Sequence, residues 1–187
     1  LFPGLRKITV VNVRTPDHAA RFTAALPRML ADQFGLDLAG VTLAASGDLE
    51  AALSDADIVV TATPSKTPLV RKDWVRPGTH FSCMGADMAG KQELESALLA
   101  GARIFADDLE HCIAAGEMEI PLKQGVISQG DIAGEIGDLI LGKVPGRQRE
   151  DEITIYDSTG MALLDIAAAK AALALAEEKN LGTVVTL

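Results

Sequence analysis

A lone carboxylate among small residues, in Gly85-Ala86-Asp87, is the sharpest candidate for chemistry in this sequence. A carboxylate can exchange a proton with a substrate nitrogen or with water when it lies within hydrogen-bond reach. We therefore take Asp87 as the candidate catalytic residue. Aspartate is also a favoured helix N-cap, so the alternative is that Asp87 starts a helix near Gly90.

Small and polar residues follow four strand-like apolar runs and could bind a ligand. Ligands of open parallel sheets bind at the carboxyl ends of the strands, and small residues let a ligand approach the backbone closely. One planar cofactor lying across such an edge would explain all four groups at once, although each group alone could also form a turn. The residues are Arg14, Thr15, Thr61, Ala62, Thr63, Met84, Gly85, Ala86, Ser158 and Thr159.

Arg14 bears on which nucleotide such an edge would bind. In dinucleotide-binding folds an acidic residue near the end of the second strand binds the ribose of NAD, whereas arginine suits the extra phosphate of NADP. No acidic residue precedes Arg14, so the sequence leans toward NADP(H). The alternative is a solvated arginine at the start of a loop.

The histidines and cysteines indicate neither a metal site nor a disulfide scaffold. His18, His80 and His111 are far apart in the sequence, so we predict no metal cluster. Cys83 and Cys112 are too few for a disulfide framework and form no C-x-x-C motif. A reduced, cytoplasmic setting is therefore expected.

Alternating strand and helix patterns predict an α/β fold in one domain. Strands separated by helices of 10–15 residues imply crossover connections and a mainly parallel, doubly wound sheet. Within the predicted helix 90–100, Lys91, Gln92, Glu93 and Glu95 are assigned to the solvent face. The predicted strands are 7–13, 41–45, 57–63, 79–84, 103–106 and 152–156. The predicted helices are 16–34 with a kink at Pro27, 46–54, 90–100, 109–115, 131–141 and 160–179.

Composition excludes several functional classes. The 187 residues are 48% hydrophobic, which suffices for a core, and carry a net charge of −9. A general nucleic-acid binder or a polybasic membrane-surface protein needs an excess of cations. No apolar run reaches the roughly 18 residues of a transmembrane helix.

Four segments resemble the ornithine cyclodeaminase/μ-crystallin family. They are ADIVVTATPSKTPLV, WVRPGTHFSCMGADMAGKQEL, GDIAGEIGDLILGKVPGR and ITIYDSTGMALLDIAAAK, and the likeness runs from Ile8 to about Leu175. The resemblance implies a Rossmann-like NAD(P)-binding domain covering residues 1–187, with helix 160–179 packing back on it.

The same resemblance implies roles for individual residues. Thr61–Thr63 would line the cofactor, Met84–Ala86 would approach the nicotinamide, and Ser158–Thr159 would close over it. Arg14 and Thr15 would lie at the adenosine ribose or its phosphate. Asp87 matches the catalytic aspartate of enzymatic members, and μ-crystallin-like members differ there.

One departure from the family pattern is large. The glycine-rich turn G-x-G-x-Q, expected some twenty residues before Ile8, and the N-terminal substrate domain are not in this sequence. We therefore expect a fragment that lacks the first strand of the fold. Because that turn would place backbone N–H groups against the pyrophosphate, these residues alone should bind the cofactor weakly and not turn over.

The resemblance implies an NAD(P)-dependent oxidoreductase that transfers hydride to or from the α-carbon of a small amino or imino acid, as an alanine dehydrogenase or ketimine reductase does. The alternatives are ornithine cyclodeaminase, an NAD-dependent ammonia lyase, and a non-catalytic μ-crystallin-like protein that binds NADPH or a small ligand. The full-length protein is expected to be a cytoplasmic homodimer with no nucleic-acid or membrane partner.

Overall fold

The computed structural model describes residues 4–183 and residue 185, which form an α/β fold with parallel sheets. The α/β prediction is thereby confirmed. Within these residues the strands are β1 Lys7–Val11, β2 Thr42–Ser46, β3 Ile58–Thr61, β4 His80–Cys83, β5 Arg103–Ala106, β6 Ile132–Glu135 and β7 Thr154–Asp157. The helices are α1 Pro16–Phe34, α2 Leu49–Ser54, α3 Ser96–Leu99, α4 Leu109–Ala115, α5 Glu119–Lys123, α6 Ile136–Ile140 and α7 Ala162–Glu178.

The strands form two parallel sheets. Strands β1 and β2 pair with each other, with Lys7 opposite Thr42. The second sheet has the order β3-β4-β7-β5-β6. At the start of β1 the Lys7 ammonium lies 2.8 Å from the carboxylate of Asp55, which lies between α2 and β3. Among the described residues β1 and β3 do not pair, so each is an edge strand.

The core lies against the second sheet, on the face where its central strands carry apolar residues in register. Phe81 of β4, Ile104 of β5 and Ile155 of β7 are completely buried. Leu94 and Leu98, from the segment around α3, pack into the same cluster. This core fixes the carboxyl ends of the strands that carry most of the candidate site.

Two predicted helices are wrong. Residues 90–95 form an irregular connection in which the N–H groups of Leu69 and Val70 donate to the Glu93 carbonyl at 2.7 and 2.9 Å. Only α3 is helical there, so the prediction that Gln92 and Glu93 face solvent is also wrong, and both are buried. Pairing with the neighbouring loop, invisible in local sequence, decides the conformation.

The second wrong helix is 131–141, whose first part is strand β6. Ile132 pairs with Ile104 of β5, and Gly134 has φ +145, a backbone conformation that suits glycine. Helix α6 then begins at Ile136. The glycine inside the apolar run was the local sign against one continuous helix.

The two long helices, α1 and α7, differ in how much of their surface is buried. Helix α1 continues through Pro27 without a break and ends at Gly35 in the left-handed conformation. Helix α7 has no buried residue, and leucines such as Leu163 and Leu173 are exposed. Its packing back on the domain therefore stays a prediction. In the described part of the chain, none of the helices is long and apolar enough to cross a bilayer.

Candidate functional site

Three of the four predicted groups share one edge of the second sheet. The N–H of Met84 donates to the Thr61 carbonyl at 2.8 Å, and the N–H of Ser158 donates to the Cys83 carbonyl at 3.0 Å. These hydrogen bonds place the ends of β3, β4 and β7 side by side. We call this edge the rim, and it comprises residues 61–63, 84–86 and 158–160.

The rim presents backbone and small side chains, with few large groups. Ala62 and Met84 are exposed, and Thr63 is half-buried. The remaining predicted rim residues are buried, namely Thr61, Gly85, Ala86, Ser158 and Thr159. Ala62, Met84 and part of Thr63 are therefore the predicted rim residues that a ligand can reach, and the others are packed into the fold.

Gly85 is required by the local geometry of the rim. A Cβ at this position would overlap both the carboxylate of Glu93 and the carbonyl of Thr63. The chain after β4 consequently passes close to the chain after β3. Any side chain at position 85 would push these two segments apart.

Arg14 and Thr15 lie apart from the rim, at the end of β1 in the other sheet. The Asn12 side-chain oxygen accepts hydrogen bonds from the N–H groups of Arg14 at 3.1 Å and Thr15 at 2.9 Å, which turns the chain into α1. No hydrogen bond found within residues 4–183 joins this group to the rim. An open cavity of about 640 Å³ is lined by Arg14, Thr15, Pro16, Asp17, His18, Ala20 and Arg21.

Asp87 is an exposed, ionised carboxylate beside the rim. Its side chain is 49% exposed and forms an ion pair with Lys91, whose side chain is only 15% exposed. The hydrogen bond from Lys91 holds the pKa of Asp87 below its ordinary value. The alternative role as an N-cap is wrong, because no helix begins near Gly90.

Asp107, which the sequence analysis missed, anchors one third of the rim. Its buried carboxylate accepts hydrogen bonds from the Ser158 hydroxyl at 3.0 Å, the Thr159 hydroxyl at 3.2 Å and the Gly160 N–H at 2.8 Å. Burial acts to raise the pKa of Asp107, but hydrogen bonds, with that from the Cys112 thiol the largest, lower it below its ordinary value. The position of Asp107 directly after β5 was the available signal.

His111 adds a titratable group at the same place. Its Nδ1 lies 3.0 Å from the Thr159 hydroxyl, and the residue is exposed on α4. Thr159 is thus held from one side by Asp107 and from the other by His111. In the part of the chain that the structure describes, no group of three or more His, Cys, Asp or Glu is placed to hold a metal.

Three buried carboxyl groups lie beneath the rim. Glu93 accepts a hydrogen bond from the Thr63 N–H at 2.7 Å, and Glu117 accepts from the N–H groups of Glu93 and Leu94 at 2.7 and 2.5 Å. The third is Asp157, at the end of β7. Its carboxylate accepts from the Met118 N–H at 3.1 Å.

Burial raises the pKa values of two of these acids, Glu117 and Asp157. Removal from water raises the pKa of Glu117 to about 8, and the neighbouring charges of Asp157 and Glu93 act in the same direction. Burial likewise raises the pKa of Asp157 to about 7, with Asp107 adding to the effect. Local sequence gave no sign of this cluster, because its members come from three separate segments.

Comparison with known protein families shows which family this chain belongs to. The profile described as the Ornithine cyclodeaminase/mu-crystallin family matches residues 6–180. The chain belongs to this family. Among family members, an alanine dehydrogenase of Archaeoglobus fulgidus is 45% identical over 130 residues, covering 70% of this chain and 40% of that protein. A Delta(1)-pyrroline-2-carboxylate reductase of Paracoccus denitrificans is 36% identical, covering 89% of this chain and 49% of its own length.

Solved structures confirm the Rossmann-like fold. An archaeal alanine dehydrogenase dimer with bound NAD has a TM-score of 0.82 and 36% identity, covering 97% of this chain and 52% of that one. The Thermococcus litoralis Delta(1)-pyrroline-2-carboxylate reductase with NADH and L-proline has a TM-score of 0.86 and 29% identity, covering 96% of this chain and 53% of that one. The chain spans about half the length of the relatives it matches.

Proposed function

We propose that the intact protein is an NAD(P)-dependent oxidoreductase that transfers hydride to or from the α-carbon of a small amino or imino acid. The observation that carries this proposal is the rim, in which three neighbouring strand ends bring small residues together beside one exposed carboxylate. Relatives named alanine dehydrogenase, iminosuccinate reductase and pyrroline-2-carboxylate reductase support it.

The rim fits a flat coenzyme. A Cβ at Gly85 would meet Glu93 and the Thr63 carbonyl, so the segments after β3 and β4 pack directly against each other at the place where the coenzyme would lie. In this proposal Thr61, Ala62 and Thr63 line the coenzyme and Met84, Gly85 and Ala86 face the nicotinamide. Ser158 and Thr159, anchored by Asp107, close over it. When bound, the coenzyme supplies the hydride chemistry.

Asp87 handles the proton in this proposal. As an ionised carboxylate it can accept a proton from the substrate nitrogen when an amino acid is oxidised, and return that proton in the reverse direction. The ion pair with Lys91 lowers the pKa of Asp87 and so further favours the ionised form that an aspartate already has at neutral pH.

We also propose that the intact protein prefers NADP(H) to NAD(H). This preference is argued from the cavity at the end of β1. Two arginines and one acidic residue line it, namely Arg14, Arg21 and Asp17. A phosphate on the adenosine ribose would find two guanidinium groups there. No acidic residue occurs in β1 or in residues 12–16, where NAD-specific proteins place one.

The assembly and setting of the intact protein are also part of the proposal. We place residues 1–187 in one NAD(P)-binding domain of a cytoplasmic homodimer with no nucleic-acid or membrane partner. The exposed leucines of α7 and the dimer described for the archaeal alanine dehydrogenase support a dimer. Two buried, unpaired cysteines suit a reducing compartment.

The test is an assay of the intact protein that follows two products at once. NADPH or NADH is mixed with pyruvate and ammonia, or with a cyclic imino acid, and the absorbance of the reduced nicotinamide is recorded. L-Ornithine with NAD is assayed in parallel for ammonia release. A net change in reduced nicotinamide supports the proposal. Ammonia release without net change would instead indicate a cyclodeaminase, and cofactor binding without turnover a binding protein, and either result would overturn it.

A further inference from the structure

The three carboxyl groups beneath the rim join segments that are distant in the sequence. Glu93 holds the Thr63 N–H, Glu117 holds the N–H groups of Glu93 and Leu94, and Asp157 holds the Met118 N–H. We call Glu93, Glu117 and Asp157 the carboxyl cluster. Through these bonds the segment after β3, the connection to α3, the start of α5 and the end of β7 are fixed relative to one another.

No cation balances this cluster. Within residues 4–183, no lysine, arginine or histidine forms a hydrogen bond or ion pair with its members, which are at most 1% exposed. One oxygen of each carboxyl group has no hydrogen-bond partner among the described residues. Nearby Glu119 is different, because it is ion-paired with Lys123.

Buried carboxylates without counter-ions repel one another and are poorly solvated, which favours the protonated forms of Glu117 and Asp157. The other titratable groups around it do not supply positive charge. They are the Cys83 thiol of β4, the Cys112 thiol of α4 and the carboxylate of Asp107. Burial raises the pKa of both thiols, so both stay neutral.

We propose that the carboxyl cluster is a proton-carrying brace, by which we mean that its protonated members hold the segments of the rim in place. Its members are thus positioning residues for the coenzyme. Glu93 lies against Gly85 and holds Thr63, so its placement sets the spacing between the segments after β3 and β4. When the cluster is protonated, the spacing is kept. When it loses a proton, repulsion moves these segments and the rim no longer fits the coenzyme. This inference rests on the proposed function.

The sign of the pH effect follows from the raised pKa values. Glu117 titrates at about 8 and Asp157 at about 7 in the folded protein, well above the ordinary values of 4.5 and 3.8. The stabilising contribution of the neutral forms is therefore complete below about pH 4 and is lost as pH rises toward 8. Coenzyme binding, which needs the ordered rim, should weaken across pH 7–9.

The experiment measures the dissociation constant of NADH and of NADPH for the intact protein by fluorescence between pH 6 and 9. For the wild-type protein we expect affinity to fall about tenfold, since one unit of pKa change corresponds to a tenfold change in binding. Glu117→Gln keeps an oxygen to accept from Glu93 and Leu94 but cannot ionise, so the part of the fall that follows Glu117 near pH 8 should disappear and only the part that follows Asp157 near pH 7 should remain. Glu110→Gln, on the exposed face of α4, is the matched control and should behave as wild type.

The outcomes separate the two proposals. If neither coenzyme binds at any pH, the proposed function fails. If the coenzyme binds but wild type and Glu117→Gln show the same pH dependence, the brace is wrong and the proposed function stands. Should Glu117→Gln not fold, Asp157→Asn replaces it. Amide hydrogen exchange of Thr63 in the wild-type protein is a second readout, with protection lost between pH 7 and 9 if the brace exists and constant protection if it does not.

Discussion

The ammonium of Lys91 is ion-paired with the carboxylate of Asp87, two residues beyond Gly85, where the chain packs against Glu93 and Thr63. Lys91 is mostly buried, whereas Asp87 is half-exposed. The Lys91 ammonium is thus held within the fold, and the Asp87 carboxylate stays accessible to a substrate at the surface. The ionised carboxylate can accept a proton in the proposed mechanism, and its lowered pKa makes it a weaker base than a free aspartate.

Replacing Asp87 with Asn tests that role directly. The amide is nearly isosteric but cannot accept a proton, so we expect kcat of the intact protein to fall by about 10²–10⁴-fold. The dissociation constant of the coenzyme should change less than about threefold, because Asp87 is exposed and makes no hydrogen bond to the neighbouring rim strands. Retention of most of the activity would remove Asp87 from the mechanism. Asp73→Asn, at another exposed aspartate, is the control.

Replacing Lys91 with Met should raise the pKa of Asp87. The Lys91 hydrogen bond is the largest cause of its lowered pKa, so loss of the ammonium should shift the titration toward higher pH. The measurement is a ¹³C NMR titration of the Asp87 carboxyl group in the two proteins. Lys91→Arg keeps the positive charge and should leave the midpoint near that of wild type. An unchanged midpoint in Lys91→Met would show that the ion pair does not control Asp87.

Replacing Arg14 with Gln tests coenzyme selectivity. If the cavity at the end of β1 receives a ribose phosphate, loss of the guanidinium should weaken NADPH binding by about tenfold, equivalent to one charged hydrogen bond. NADH binding should change by less than about threefold. Isothermal titration of both coenzymes decides the matter. Equal losses for the two coenzymes would mean that Arg14 does not distinguish them.

Replacing Asp107 with Ala should destabilise the fold and loosen the last part of the rim. The hydroxyl of Ser158, the hydroxyl of Thr159 and the N–H of Gly160 would lose their common acceptor. We expect the free energy of unfolding to fall by about 2–4 kcal/mol in urea titrations. Asp73→Ala, at an exposed site, should change it by less than about 0.5 kcal/mol. A loss of that small size for Asp107→Ala would mean that its hydrogen bonds do not stabilise the rim.

Much of the rim could be predicted from the sequence because short local patterns mark the ends of its strands. Apolar β-branched runs followed by small residues predict strand ends, and parallel strands bring such ends to one edge. Thr61, Met84 and Ser158 are brought together for that reason. The Rossmann-like fold and the family were likewise predicted correctly.

The buried carboxyl cluster could not be predicted in the same way. Glu93 follows Lys91 and Gln92 in a polar stretch that has the pattern of a solvent-facing helix. Its burial depends on the chain near Val70 and on Glu117, which are remote in sequence. Strand β6 was missed for the same reason, because pairing with β5 outweighs the helical preference of its residues. Tertiary contacts, and not local propensity, decide both segments.

The measurement that most directly tests the central claim is a crystal structure of the intact protein with NADPH bound. We expect the coenzyme to lie along the rim, with the nicotinamide against Met84–Ala86 and its reactive carbon facing the side chain of Asp87. We also expect the ribose phosphate beside Arg14. A nicotinamide ring bound away from the ends of β3, β4 and β7, or an Asp87 side chain directed away from the ring, would contradict the account.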